Sequence, residues 1–198
     1  MISPIAFAAG AAAWSVSEYT LHRFVGHGPR RRRPSGLALL TPKGLMAAFN
    51  EEHLAHHADP MYFAPTSQKV VAAVVVTAAA AAVGSVLVGP RRAISFALGF
   101  SSTYVAYEVL HRRVHTHAPR NAYGRWLRRH HLYHHHKSPR MNHGVTSPLW
   151  DRVFGTEVKA EDRMRVPRRA APKWMLDESG AVRPEYAADF EIGGNAVL

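Results

Sequence analysis

Residues 70–88, VVAAVVVTAAAAAVGSVLV, are 19 consecutive uncharged residues, and residues 93–110, AISFALGFSSTYVAYEVL, form a second run of 18 interrupted only by Glu108. Gly89, Pro90, Arg91 and Arg92 separate them, in the manner of a tight turn. At about 1.5 Å per helical residue, each run approaches the roughly 30 Å hydrocarbon thickness of a bilayer. A segment in lipid must satisfy its backbone hydrogen bonds internally, so the pair predicts a helical hairpin across a membrane. Two buried helices of a soluble core are the competing reading, but adjacent uncharged runs of spanning length are rare in a small soluble domain.

A third span is expected from Ile2 to Leu21, interrupted only by Pro4, small hydroxyls and Glu18. It has no basic region before its apolar stretch, which argues against a signal peptide. GPRRRRPSG then breaks the chain into a loop. A helix is predicted from about Leu45 to His57, too short to span and suited to the interface, with Asp59-Pro60 ending it. The fold class is therefore all-α: an integral membrane protein with about three spanning helices, plus interfacial helices forming a cap.

The net charge of +11 fits nucleic-acid binding in isolation, but the apolar hairpin opposes that reading. Of the 25 Lys and Arg, 23 fall on one side of the expected spans, and the positive-inside rule makes that side cytoplasmic. With no cysteine, neither a disulfide nor a thiolate metal site is available.

All 14 histidines fall in four groups on that same side: HRFVGH, EEHLAHH, HRRVHTH and the stretch from His130 to His143. His53, His56 and His57 stand at i, i+3 and i+4, as do His131, His134 and His135, while His111 and His115 stand at i and i+4. On helices these spacings share a face. His22 and His27, five apart, do not align on a regular helix, so His27 is expected just past a helix end. Ten imidazoles then converge, more than the four ligands of a structural zinc, and two metals are indicated. His117, His130, His136 and His143 read as outer or solvated rings, although His130 pairs with His134 at i+4 and the run His134–His136 permits a one-residue shift.

HRFVGH, HLAHH, HRRVH and HLYHH, followed by NHGVTSPLWDRVFGT, resemble the fatty acid hydroxylase and sterol desaturase superfamily of membrane di-iron enzymes. The resemblance runs from about Tyr19 to Thr156. It implies a cytoplasmic ten-histidine site on His22, His27, His53, His56, His57, His111, His115, His131, His134 and His135. It also implies two iron ions, which zinc can replace in purified protein, and O2-dependent hydroxylation or desaturation of a lipid C–H bond. Asp151 is expected to orient a ligand ring, with Glu18 and Glu108 as weaker outer candidates. Electrons are expected from a separate ferredoxin or cytochrome. Larger members have more helices before the first box, and either the broken 37–49 segment or a second subunit in a homo-oligomer can stand in for the missing one.

Residues 1–156 are thus expected to form the catalytic domain and 157–198 a polar cytoplasmic tail, loosely packed or partly disordered, with no assigned chemistry. The competing functions are a carotenoid ring hydroxylase and a non-catalytic metal-binding membrane protein.

Overall fold

The computed structural model describes residues 1–159 and 163–194. It is predominantly helical and divides into two compact units, Met1–Glu18 with Ala64–Val109, and Tyr19–Phe63 with Leu110–Leu198.

The first unit is built on α1 (Pro4–Thr20), α3 (Thr66–Val88) and the greater part of α4 (Pro90–Thr116). Among the described residues, α3 and α4 are the two helices long and apolar enough to cross a membrane. None of α3's residues is buried, and Val86 and Leu87 are 86% and 76% exposed. So extended an apolar face suits lipid rather than water. α1 has 17 residues, about 25 Å of rise, and runs directly into an irregular turn considered below.

The turn between α3 and α4 is tighter than the expected four residues. Gly89 makes it alone at φ 81°, a left-handed conformation that costs glycine nothing. Pro90 can begin α4 at once because the first helical N–H has no partner to lose. α1 and α4 meet backbone to backbone: a Cβ on Gly10 would lie 2.0 Å from the Phe96 carbonyl oxygen, and one on Gly99 2.0 Å from that of Phe7. Small residues at crossing points permit such contact in membranes, where dispersion replaces the hydrophobic effect. Trp14 packs edge-on against Phe100 and Tyr104, with ring centroids at 5.3 and 4.8 Å.

The second unit contains α2 (Pro42–Ala58), the end of α4, α5 (Ala122–His136), α6 (Leu149–Val153) and two strands. α2 begins three residues before the expected Leu45, because Thr41 caps it by accepting from the Gly44 N–H at 3.1 Å and Pro42 opens its first turn. Asn121 caps α5 in the same way, accepting from Gly124 at 2.7 Å.

The all-α expectation needs correcting at the C-terminal end, where β1 (Met164–Pro167) and β2 (Phe190–Gly193) pair in parallel from Met164 opposite Phe190 to Pro167 opposite Gly193. Nor is that segment loosely packed. Met164, Val166, Trp174, Met175, Tyr186 and Phe190 form one buried core with Val114 of α4 and Leu127 and Leu132 of α5. Asp189 accepts from Arg125 and Arg129 of α5, each at 2.6 Å. Buried Arg128 donates to the Arg113 carbonyl and to the His117 carbonyl just past the end of α4. Residues 160–162 and 195–198 of the expected tail lie outside the described residues.

Candidate metal centre

The segment after α1 explains how His22 and His27 share a site. Leu21–Gly26 is a π-helix, and the His27 N–H bonds to the His22 carbonyl at 3.1 Å, an i to i+5 contact. The wider winding puts residues five apart on one face, which a regular helix does not. Their ring centroids are 5.2 Å apart.

Asn50 holds this turn against α2. It is fully buried, donates to the Val25 and Gly26 carbonyls at 2.8 and 3.0 Å, and accepts from the Arg31 N–H at 2.9 Å. One turn further along α2, His53 lies against Gly26 so closely that a Cβ there would meet its ring at 2.8 Å. Nothing in the histidine spacing points to Asn50.

The ten rings come together as two groups of five: His22, His27, His53, His57 and His134, and His56, His111, His115, His131 and His135. Within each group the ligand nitrogens all lie within 4.8 Å of one another. Each HxxHH trio is divided. His53 and His57 join the first group and His56 the second, whereas His131 and His135 join the second and His134 the first. Rings four apart therefore serve one group, and the ring between them turns to the other. His57 and His135, one from each group, stack at 4.1 Å with 9° between their planes.

The proton arithmetic fits metal. The Nδ1 atoms of His22 and His134 face the carbonyls of His143 and Met141, which only accept, so both Nδ1 atoms carry the proton and both Nε2 atoms carry lone pairs. Those two lone-pair nitrogens are 2.9 Å apart. His134 Nε2 is also 2.8 Å from His27 Nε2 and 3.1 Å from His57 Nε2. Without a cation this meeting is repulsive. With metal–nitrogen bonds of about 2.0–2.1 Å, two ligands at a right angle would stand about 2.9 Å apart. In the second group, His131 Nε2 is 3.0 Å from both His115 Nε2 and His135 Nε2.

Burial, followed by the neighbouring imidazoles, holds the pKa of His53, His57, His131, His134 and His135 well below 6.5. His27 falls to about 4, chiefly through burial. These bases are neutral at pH 7 and able to take a cation without first losing protons. A folded pKa below the unfolded value means that the unfolded chain binds more protons in acid. Stability of the metal-free protein is therefore expected to be complete above about pH 6.5 and to fall progressively as the pH drops towards 4. Thermal midpoints of chelator-treated protein at pH 7.5, 6 and 5 check this, and a flat profile contradicts it.

The outer residues differ from expectation in how they act. Asp151 is fully buried and reaches the first group through backbone: its carboxylate accepts from the His143 and Gly144 N–H groups, both at 2.8 Å, and the His143 carbonyl receives the His22 ring. Burial alone would raise its pKa, but hydrogen bonds from His130, Thr156 and the two N–H groups outweigh it and hold the carboxyl below its ordinary value. Arg23 donates to the Tyr19 hydroxyl at 2.7 Å, Tyr19 meets Thr156 at 2.8 Å, and Thr156 donates to Asp151 at 2.7 Å. Asn142, at φ 57°, turns the chain into this loop, a conformation that asparagine tolerates. Asp151→Asn would aim an amide at N–H donors, and a 10- to 100-fold loss of metal affinity is expected, with helix content unchanged. Metal titration of the chelated protein measures it, and wild-type affinity would refute the role.

Glu108 lies in the first unit and pairs with Lys69 at 2.5 Å; Glu18 is buried in the same unit. Of the remaining histidines, His130 reaches Asp151 at 3.3 Å, His117 contacts Thr116 at 2.8 Å, and His143 flanks His22, His27 and His134. His136 lines an open cleft. None of the four belongs to either group of five.

Residues 7–156 match the family described as fatty acid hydroxylase. The dihydroceramide fatty acyl 2-hydroxylase FAH2 of Arabidopsis thaliana is 30% identical over 154 residues, covering 74% of this chain and 58% of that protein. The ceramide very long chain fatty acid hydroxylase SCS7 of Saccharomyces cerevisiae is 31% identical, covering 76% of this chain and 37% of its own. A solved structure described as full length scs7p, with only the hydroxylase domain visible, aligns with a TM-score of 0.58 at 27% identity, over 78% of this chain and 56% of that one. The chain spans about half the length of these relatives, or less. The match extends from within α1 past the last histidine group to Thr156, and on that basis the chain belongs to the fatty acid hydroxylase family.

Proposed function

We propose that this protein is an integral membrane oxidoreductase that holds two irons between its ten grouped histidines and uses O2 to hydroxylate a C–H bond of a fatty acyl lipid. The observation that carries the reading is the meeting of lone-pair nitrogens in two adjacent groups of five. Five imidazoles exceed the four ligands of a closed zinc site and suit a metal of higher coordination number that also changes oxidation state. Held by His22, His27, His53, His57 and His134 on one side and His56, His111, His115, His131 and His135 on the other, two irons would supply activation of O2 towards an unactivated carbon, with electrons from an external ferredoxin or cytochrome.

The protein's part is position and exclusion of water. The carbonyls of His143, Met141 and Tyr62 fix the tautomers of His22, His134 and His56 so that each Nε2 faces inward. Residues 1–156 form the catalytic portion, with α1 as a third span beside α3 and α4. The 23 Lys and Arg on the histidine side favour a cytoplasmic metal site. The Arabidopsis relative's name specifies fatty acyl 2-hydroxylation, which makes the carbon next to the acyl carbonyl the first position to examine.

The test is lipid mass spectrometry of cells grown under 18O2, expressing the wild type with a redox partner or a His53→Ala, His56→Ala, His57→Ala triple variant. A wild-type-only lipid gaining one labelled oxygen is expected. A wild-type-only lipid short of two hydrogens would replace hydroxylation by desaturation, and a labelled carotenoid ring would change the substrate. Identical lipids in both cultures would leave a metal-binding membrane protein without this activity.

A further inference from the structure

A cleft of about 650 Å³ opens in the second unit, within the range that holds small molecules. His57 and His135, the stacked pair drawn from the two histidine groups, form part of its wall. Lys137, Arg165 and Arg169 also line it, against a single acidic side chain, Asp59. Arg165 is committed to Glu191 at 2.9 Å, but neither Lys137 nor Arg169 has an ion pair among the described residues. Exposed lysines and arginines are ordinarily just solvated. These differ in being gathered around a concavity, on a wall that the folded C-terminal segment supplies. Arg165 and Arg169 lie beyond the residues 7–156 matched by the family, so this wall is a feature of the chain's own C-terminal segment.

We propose that the cleft binds a small phosphate-bearing molecule through Lys137 and Arg169, with Arg165 at its edge. With Arg165 held by Glu191, Lys137 and Arg169 are the two cations open to an anion, and two charged donors suit the several acceptor oxygens of a phosphate monoester carrying about −1.5 to −2 at pH 7. The concave shape suits a headgroup or a soluble phosphate ester rather than a protein face. The site does not depend on the oxygen chemistry proposed above.

Calorimetry on the full metal-loaded chain in neutral detergent tests it, with inorganic phosphate and monomeric dihexanoyl phosphatidic acid as separate probes. Saturable one-to-one binding of at least one probe is expected, weakened roughly tenfold or more in a Lys137→Gln, Arg169→Gln variant. An Arg30→Gln, Arg31→Gln variant, altered in the loop before α2, should bind as the wild type does. Binding of both probes identifies free phosphate as sufficient, and binding of phosphatidic acid alone identifies a lipid headgroup. In the unaltered chain, the bound probe should slow acetylation of Lys137 but not of Lys173. No saturable binding, equal weakening in the loop variant, or unprotected Lys137 overturns the proposal.

Discussion

His134→Ala is expected to empty the first histidine group and reduce activity below detection. Its Nε2 is the nitrogen that three of the other four in that group face, at 2.9 Å from His22, 2.8 Å from His27 and 3.1 Å from His57. The ring is fully buried and its Nδ1 is fixed on the Met141 carbonyl. Loss of a residue that merely orients a ligand costs about 10- to 100-fold in affinity or activity, and loss of the ligand itself should exceed that. Elemental analysis of the purified protein should show close to one metal per chain in place of two. His117→Ala, altering an exposed ring outside both groups, should keep both metals. Full metal content and activity in the His134 variant would refute the assignment.

Trp174→Ala should destabilise the second unit by about 3–5 kcal/mol, the usual cost of truncating a buried tryptophan. Trp174 is 8% exposed, packs edge-on to Tyr186 at 5.1 Å, lies under the Arg128 guanidinium and donates to the Val114 carbonyl at 3.1 Å. Val114 adjoins His115, so the damage should reach the second histidine group as well as the tail. A fall in thermal midpoint of roughly 10 °C is expected, together with earlier metal release on heating. Trp174→Phe keeps most of the packing and should lose much less. An unchanged midpoint in the alanine variant would mean that the C-terminal segment contributes nothing to this core.

The apolar helical hairpin and the gathering of the ten rings are legible from residues alone because both depend on local periodicity. An uncharged run declares its solvent, and histidines at i, i+3 and i+4 declare a helical face. Spacing does not reveal how a trio divides. His53 and His57 turn to one group and His56 to the other because neighbouring helices present partners on both sides, which is a tertiary fact. The π-helix is hidden for a related reason, since LHRFVG has no composition that demands five-residue winding. Asn50 is equally silent, an ordinary polar residue whose backbone partners lie 19 to 25 positions away. The C-terminal core escapes notice because its anchors follow no period, and parallel pairing of Met164 with Phe190 joins residues far apart in sequence.

The wide winding at Leu21–Gly26 also ties backbone shape to occupancy. Such turns hold together less well than an α-helix, and this one keeps two imidazoles aimed at one point. Relaxation of the segment to ordinary α-helical winding, with the two histidines still five apart, would carry one ring about 100° further around the axis than an i, i+4 pair, away from its companion. A cation held between His22 and His27 would therefore favour the wide winding, so that helix pitch and metal loading at this end of the site should change together.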